Sequence, residues 1–414
     1  MLKTNANTYE PEAAGEPKRT DTQQTNLKTD KASSKTDFGE DFLEHMPDVV
    51  CLSHLRWNFV YQRPQHLLSR FAKSGRVFFV EEPVYTDTPN PYLHVATNAD
   101  NVQVVLPHLP HGLDAKQTEE AQQNLLNVFF KEQDLERYLF WYYTPMALAF
   151  TAHFKPVLTV YDCMDELAAF KFASPRLKEL EQELFKKADL VFTGGQSLYE
   201  AKKEQHAQVY AFPSSIDKAH FGQARQELLQ PQDQASIPHP RIGFFGVIDE
   251  RLDIDLLGAV AAARPAWQLI IIGPVVKIDP AILPQYQNIH YLGGKAYQEL
   301  PAYLSGWDVA ILPFAINEST RFISPTKTPE YLAAGKPVVS TPIRDVVRPY
   351  GDAHLVHIAH TADEFVEATE QALAQADDEK WKKEVDIFLA DMSWDQTWRQ
   401  MVELMGKALY QHKN

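Results

Sequence analysis

The chain has 414 residues and a formal net charge of -15 at pH 7, with 40 lysines and arginines against 55 aspartates and glutamates. This balance argues against nucleic acid as the main partner, because neutralising a phosphate backbone requires a basic surface. Hydrophobic residues make up 44% of the chain, enough for a large core, and the length favours two or three domains.

The composition also predicts a cytoplasmic protein. Cys51 and Cys163 lie in strand-like runs and are expected to be buried free thiols, which fits a reducing compartment. No apolar run approaches the ~20 residues that a membrane-spanning helix needs, and no secretory signal is apparent. Peripheral contact of the protein with the inner face of a membrane is compatible with this prediction.

Residues 1–45 are polar and poor in large apolar side chains, so we expect a disordered tail there. Strands and helices then alternate. The predicted strands of the first half are VVCLS, RVFFVEEP, NVQVVLP, FWYYTP, VLTVYD, DLVFTGG and QVYAFPSS. The helical patterns between them are PQHLLSRFAKSG, residues 115–138, MALAFTAHF, residues 174–187 and QSLYEAKKEQ. This alternation predicts right-handed crossovers and a parallel sheet.

The alternation restarts after a polar segment at about 217–239, which is predicted to be a linker. The strands RIGFFG, WQLIIIG, NIHYLGG, DVAILPF and KPVVST follow, with helices DIDLLGAVAAARP, QELPAYLSGW, PEYLAAG and ADEFVEATEQALAQ between or after them. The fold class is therefore α/β, with two Rossmann-like domains over residues 46–216 and 240–392.

A short, well-delimited helix is the most pointed local signal. In SPTKTPEYLAAGKPVVS, Thr328 suits the cap, Pro329 the first helical position and Gly335 the stop. A helix N-terminus favours an anion such as diphosphate, and Lys327 adds a charge beside it. Glu330 suits either a plain dipole interaction or hydrogen bonds from ribose hydroxyls.

Ligands bind parallel α/β sheets at the carboxyl ends of the strands. In FFGVIDERLDID, Gly246 permits close backbone approach and Arg251 can pair with a phosphate. In YLGGKAYQEL, Gly293 and Tyr297 could border a nucleobase. Plain turns with surface side chains are the alternative explanation of both segments.

Two strand ends of the first half carry polar clusters. YDCMDE places Asp162, Asp165 and Glu166 at a strand terminus, where one carboxylate could act as a base or hold a substrate hydroxyl. The loop SHLRWNFVYQRPQHLL contains several aromatic and cationic side chains, which either contact a ligand or pack on the sheet end. The candidate ligand contacts in this loop are His54, Arg56, Trp57 and Arg63.

With these motifs the chain resembles a glycosyltransferase of the GT-B fold, close to family four. The strongest part is PTKTPEYLAAGKPVVST, supported by IGFFG with Arg251, by LGGKAYQELPAYLSGWDVAILP and by SWDQTW. HLRWNFVYQRPQHLLSRFA and YDCMDEL resemble a subgroup of teichuronic-acid and exopolysaccharide transferases. The resemblance implies two domains facing a central cleft, with the terminal helix, 393–414, completing the first domain.

The resemblance also implies residue roles. Glu330 would bind ribose, and Arg251 and Lys327 would neutralise the diphosphate and so act catalytically. Gly246, Gly293, Tyr297, Thr326 and Thr328 would complete the donor site, and Asp162 would contact the sugar or acceptor. The first domain would hold the acceptor, with His54, Arg56, Trp57 and Arg63 as its contacts. The family transfers with retention and requires no bound metal.

The expected reaction moves a hexose from a UDP- or GDP-linked sugar to a glycan or polyprenyl-linked acceptor in cell-surface polysaccharide synthesis. Two positions depart from the family pattern: Phe322 replaces a frequent glutamate, and Tyr161 replaces the histidine of a His-Asp pair. A GT-B protein that binds without turnover, and a nucleotide-sugar epimerase, are the alternatives.

Overall fold

A computed structural model of the chain describes residues 37–171 and 173–413. The predicted tail over residues 1–36 lies outside the described residues. The prediction of disorder up to residue 45 is wrong for its last part. Phe38–Glu44 form helix α1, and Phe42 is buried in a hydrophobic core. Asp37 caps this helix with its carboxylate, and Phe38 packs against the ring of Tyr410 at 5.3 Å.

Within the described residues the first half of the chain forms a nine-stranded sheet in the order β3-β5-β2-β1-β6-β7-β8-β9, with β4 antiparallel to β5 and the other pairs parallel. Its strands are β1 Asp48–Leu52, β2 Val77–Val80, β3 Val84–Thr86, β4 Tyr92–Thr97, β5 Gln103–Pro110, β6 Tyr138–Tyr142, β7 Leu158–Cys163, β8 Leu190–Thr193 and β9 Val209–Ala211. Its helices are α2 Arg63–Phe71, α3 Ala115–Glu132, α4 Leu148–Thr151, α5 Leu177–Lys187 and α6 Gln196–Lys202.

The second half forms a six-stranded parallel sheet in the order β12-β11-β10-β13-β14-β15. Its strands are β10 Arg241–Phe245, β11 Gln268–Ile272, β12 Ile289–Gly293, β13 Val309–Leu312, β14 Val338–Ser340 and β15 Val356–Ile358. The helices of this half are α7 Lys218–Gly222, α8 Gln232–Ala235, α9 Ile254–Ala263, α10 Leu300–Ser305, α11 Lys327–Ala333, α12 Arg344–Val346, α13 Ala362–Gln375 and α14 Glu379–Leu389. The two mainly parallel sheets confirm the predicted α/β class.

Burial explains which strands could be predicted from the sequence. The central strands are continuous apolar runs because helices cover both of their faces. By contrast, β4 was not predicted, since it is an exposed edge strand. The predicted linker is also more ordered than expected: Phe221 of α7 is fully buried in the core of the second sheet.

The last helix, α15 Trp394–Lys413, returns to the first sheet. Trp394, Met401 and Met405 are buried in the same hydrophobic cluster as Val49 of β1 and Phe71 of α2. The side chains of one helix at the end of the chain thus help to fill the first core. The exact bounds of the two predicted domains stay a prediction.

Candidate functional site

A cavity of about 650 Å³ lies between the two halves and is lined by residues of both. On the second sheet it lies just after β10, β11 and β13, and on the first sheet just after β7 and β8. Strand order reverses between β10 and β13, which makes this edge a topological switch point, the usual ligand position in open parallel sheets. We call this cavity the cleft.

Arg251 lines the cleft and is held in place from two sides. Asp249 accepts hydrogen bonds from its Nε at 3.0 Å and from its Nη2 at 2.6 Å, and the guanidinium lies 5.5 Å from the ring centre of Phe170. Burial opposes the charge, but the hydrogen bonds that Arg251 donates to Asp249 hold the pKa of Arg251 above its usual value. The cation is therefore permanent and well oriented.

Lys327 crosses the end of β10 because Gly246 leaves room for it. A Cβ at residue 246 would stand 2.2 Å from Cε of Lys327, and the backbone of Gly246 has φ +147°, a conformation that favours glycine. Lys327 Nζ lies 6.0 Å from the ring centre of Phe244 and has no ion pair or hydrogen bond within the described residues. Burial lowers the pKa of Lys327, while Glu330 opposes this shift.

Glu330 is the carboxylate of the cleft that lies one helical turn from Lys327. It is 6% exposed, and burial raises its pKa to about 8, although Lys327 works in the opposite direction. Near neutral pH a large share of Glu330 is therefore protonated. In that form the group can both donate and accept hydrogen bonds.

The short helix α11 differs from the prediction at its start. It begins at Lys327 with Thr326 as its N-cap residue, so the predicted cap, Thr328, lies inside the helix, where its hydroxyl is buried without a hydrogen-bond partner. Thr326 lines the cleft and Thr328 does not. The predicted stop at Gly335 is confirmed: its φ is +71°, and its amide donates to the carbonyl of Leu332.

Tyr297 also lines the cleft, but its ring lies between other rings. It stacks on Tyr61 of the first half at 4.5 Å and on His220 at 4.3 Å, and it meets His66 edge-on at 5.6 Å. The Tyr297 hydroxyl is buried without a hydrogen-bond partner. Gly293, predicted beside it, ends β12 with φ +70° and lies outside the lining, which begins at Gly294.

Asp162 lies in a buried ion pair. This carboxylate is fully buried and is bound by Arg63 through Nε at 2.9 Å and Nη2 at 2.8 Å. Arg63 is itself 1% exposed, and its Nη1 donates to the carbonyl of Phe212. The charges of Asp162 and Arg63 thus neutralise each other, and the roles predicted for both residues stay predictions. Only Arg63 of the pair appears among the residues lining the cleft.

The other three predicted acceptor contacts also have partners or neighbours in the first half. Trp57 is buried and packs edge-on against Phe79 at 5.1 Å, and Arg56 pairs with Glu81 at 3.0 Å. Burial lowers the pKa of His54 to about 4, with Lys277 adding to the effect. Trp57 borders the cleft, whereas Arg56 and His54 do not.

Sequence comparisons identify the second half. Residues 239–375 match the family model described as "Glycosyl transferases group 1". Over 66% of the chain the sequence is 27% identical to a Bacillus subtilis protein named as a teichuronic acid biosynthesis glycosyltransferase, and the match covers 72% of that protein. Residues 239–375 thus carry a group 1 glycosyltransferase domain, and the matches support a transferase of the GT-B fold.

Solved structures share the fold of this glycosyltransferase at low sequence identity. Anabaena HepE, solved in complex with UDP, has a TM-score of 0.61 and 12% identity over 87% of this chain and 100% of that one. Sucrose-phosphate synthase from Thermosynechococcus elongatus has a TM-score of 0.60 and 14% identity, covering 89% and 97%. WaaG, a lipopolysaccharide glycosyltransferase, has a TM-score of 0.57 and 13% identity, covering 86% and 99%.

Two further positions of the glycosyltransferase depart from the family pattern. Phe322 does not line the cleft; it packs against the core of the first sheet, and the guanidinium of Arg321 lies 5.1 Å from its ring centre. The cleft is lined instead by residues 323–327. Tyr161 is buried beneath the first sheet's helices, where its hydroxyl donates to Glu181.

Two carboxylates that line the cleft, Asp100 and Asp165, were not among the predicted site residues. Asp165, which follows β7, lines the cavity across from the second half. The YDCMDE motif pointed to this position, but the sequence did not distinguish it from Asp162 or Glu166. Among residues 37–171 and 173–413 no group of three potential His, Cys, Asp or Glu metal ligands occurs. None of the helices in that range has the length and apolar composition that a membrane crossing needs.

Proposed function

We propose that this glycosyltransferase moves a hexosyl group from a nucleotide-diphosphate sugar to a glycan or lipid-linked acceptor, with retention, in cell-surface polysaccharide synthesis. The observation that carries the proposal is the gathering of Arg251, Lys327 and Glu330 in one cleft at a switch point. The name of the B. subtilis relative supports the polysaccharide context, and the UDP in HepE supports a nucleotide donor.

In the proposed reaction the bond between the anomeric carbon and the diphosphate oxygen breaks, and its electron pair leaves with the diphosphate. The acceptor hydroxyl forms the new bond on the same face of the sugar, and its proton passes to the departing phosphate oxygen. Arg251 and Lys327 stabilise the charge that develops on the diphosphate. Because both are protein cations, the proposal needs no bound metal to neutralise this charge.

Glu330 has a different proposed role, the recognition of ribose. Its raised pKa leaves it partly protonated near neutral pH, so it can exchange hydrogen bonds with two ribose hydroxyls. Bound phosphate would then be the anionic partner of Lys327, a role that the protonated form of Glu330 does not fill. The unpaired lysine and the protonated glutamate are consistent with a site arranged for a nucleotide.

Calorimetric titration with UDP and with GDP tests the donor assignment. We expect saturable binding of one of them, and Glu330→Ala should weaken it at least tenfold, since a buried hydrogen-bonding group is lost. Glu384→Ala, on the exposed side of α14, is the matched control. Binding of neither nucleotide, or equal binding by the Glu330 variant, would contradict the assignment.

We further propose that the enzyme acts in the cytoplasm, at the inner face of the membrane where a polyprenyl-linked acceptor would be found. Cell fractionation tests this location, and recovery with the membranes that is abolished by high salt is the expected result. A protein distributed wholly in the soluble fraction with a soluble glycan as its acceptor would contradict it.

A second candidate is a protein that binds a nucleotide sugar or glycan without turnover. The observation in its favour is that Phe322 and Tyr161 replace family residues and are both engaged in packing. Release of nucleoside diphosphate separates the candidates. Steady release with an extract of acceptors supports the transferase, whereas tight binding without release supports the second candidate.

A further inference from the structure

The loop after β7 carries three acidic residues, and two of them are neutralised within the first half. Asp162 is bound by the buried Arg63, as described above. Glu166 pairs with Lys202 at 2.8 Å, and Lys202 is 4% exposed and also binds Glu181 at 2.8 Å. Two buried cations thus fix the loop on either side of Asp165.

Asp165 is the acidic residue of this loop that lines the cleft. Its carboxylate has no hydrogen bond or ion pair within the described residues, although its backbone carbonyl accepts a weak hydrogen bond from Cys163. The same cleft is lined from the opposite side by Arg251 and Lys327. A carboxylate with rigid neighbours and no protein partner is therefore presented to whatever occupies the cavity.

We propose that Asp165 holds hydroxyl groups of the transferred sugar and selects neutral hexosyl donors over hexuronosyl donors. This inference rests on the proposed function. A sugar attached to a diphosphate between Arg251 and Lys327 lies within the same cavity as Asp165. An ionised carboxylate only accepts hydrogen bonds, which suits sugar hydroxyls, and it repels the carboxylate of a uronic acid.

The charges around Asp165 leave it ionised at neutral pH. The pKa of Asp165 is raised to about 6, mainly by burial and to a lesser extent by Asp249, while Arg251, Arg63 and Lys327 oppose the rise. The two cations of the donor site thus partly compensate for burial. Asp165 can therefore accept hydrogen bonds under the conditions in which the transfer would run.

Asp165→Asn tests the inference, because asparagine keeps the size and removes the charge. Donor hydrolysis is measured with UDP-glucose and UDP-glucuronic acid, or with GDP-mannose and its uronic acid counterpart if the titration selects guanine. We expect kcat/KM for the neutral donor to fall by about 10- to 100-fold, the effect of losing one charged hydrogen bond. The preference for the neutral donor should shrink, whereas the Kd for the nucleoside diphosphate should stay within about threefold of the wild type, because the diphosphate contacts are unchanged.

Two further variants complete the test. Asp165→Glu keeps the charge and should retain the rejection of the uronic acid, and Asp377→Asn, exposed after α13, should behave as the wild type. If Asp165→Asn binds the nucleotide normally and keeps the donor preference of the wild type, the inference about Asp165 is overturned and the proposed function is not. A wild-type protein that binds neither UDP nor GDP would overturn the proposed function and the inference with it.

Discussion

Oδ1 of Asp345 accepts a hydrogen bond of 3.0 Å from the backbone amide of Ser197. The carboxylate belongs to α12, beside the second sheet, and the amide belongs to the first turn of α6, beside the first sheet. A Cβ at Gly195 would stand 2.3 Å from Asp345 Oδ2, so the absence of a side chain there permits this approach. Arg344 and Glu200 form an ion pair next to it. The two halves are thus fastened together on one side of the cleft.

Asp345→Ala should weaken this fastening. The free amides of α6 would lose their capping carboxylate, which costs about 1 kcal/mol. We expect a lower midpoint in urea unfolding and a raised KM for the donor, because both halves line the cleft. Asp352→Ala, which removes an exposed carboxylate 3.8 Å from Arg348, is the matched control. A variant with the stability and KM of the wild type would show that the contact does not hold the halves together.

Lys327→Ala should reduce turnover far more than folding. Removing one preorganised donor to a developing negative charge costs about 3 kcal/mol, or about 100- to 1000-fold in kcat. The fold should persist, because Lys327 makes no ion pair within the described residues. Release of nucleoside diphosphate measures the rate, with Lys380→Ala on α14 as the control. A rate within a few fold of the wild type would exclude Lys327 from catalysis.

Tyr297→Phe should stabilise the protein. The hydroxyl of Tyr297 is buried without a hydrogen-bond partner, and leaving such a group unsatisfied costs about 1 to 3 kcal/mol. Stacking on Tyr61 and His220 needs only the ring, so the aromatic contacts should survive. Thermal unfolding measures the effect. If the same change weakens UDP or GDP binding, the hydroxyl contacts the nucleotide; a loss of stability would contradict the prediction.

Asp165→Asn should raise stability in a pH-dependent way. The pKa of Asp165 is raised in the folded protein to about 6, so folding favours the protonated form. The stability that this form contributes is complete below the unfolded pKa near 4 and is lost as pH rises through 6. The variant, which does not titrate, should therefore gain about 2 to 3 kcal/mol over the wild type between pH 4 and pH 7. Urea unfolding at both pH values measures this gain. An unchanged difference between the two pH values would show that the pKa is not raised.

A chain that ends before Trp394 should not form the first core. Trp394, Met401 and Met405 are buried there, and removing all three exposes several hundred Å² of apolar surface on their neighbours. We expect loss of cooperative unfolding in the first half and binding of a hydrophobic dye. The single variant Met405→Ala should cost about 2 to 5 kcal/mol. Wild-type stability in the truncated chain would contradict the packing of α15 on the first sheet.

The elements predicted from the sequence are those whose buried positions carry apolar residues. The elements that were missed are exposed or polar. The strands around Val50 and Ile270 are recognisable because both faces of each sheet are covered. Exposed β4 carries no such pattern, and α1 is too short and polar to be recognised from its sequence alone. The buried Phe221 of α7 likewise lies in a segment whose composition is that of a linker.

Some residues of the candidate site could likewise be predicted from the sequence and others could not. Arg251, Lys327 and Glu330 follow strand ends of one sheet, so the chain order alone brought them together. The choice between Asp162 and Asp165 was not available from the sequence, because it depends on Arg63, which lies 99 positions away and binds one of them. Arg63 pairs with Asp162 in the interior, and Asp165 is the carboxylate that lines the cleft.

The return of α15 to the first sheet has a consequence for how the protein is made. Domains synthesised early usually fold while later ones are still on the ribosome. Here the nascent first half lacks Trp394, Met401 and Met405 until the second half has been translated. We therefore expect the emerging first half to remain open to chaperones until α15 has left the ribosome. Pulse-labelled protease resistance of the first half should appear only in chains that include α15.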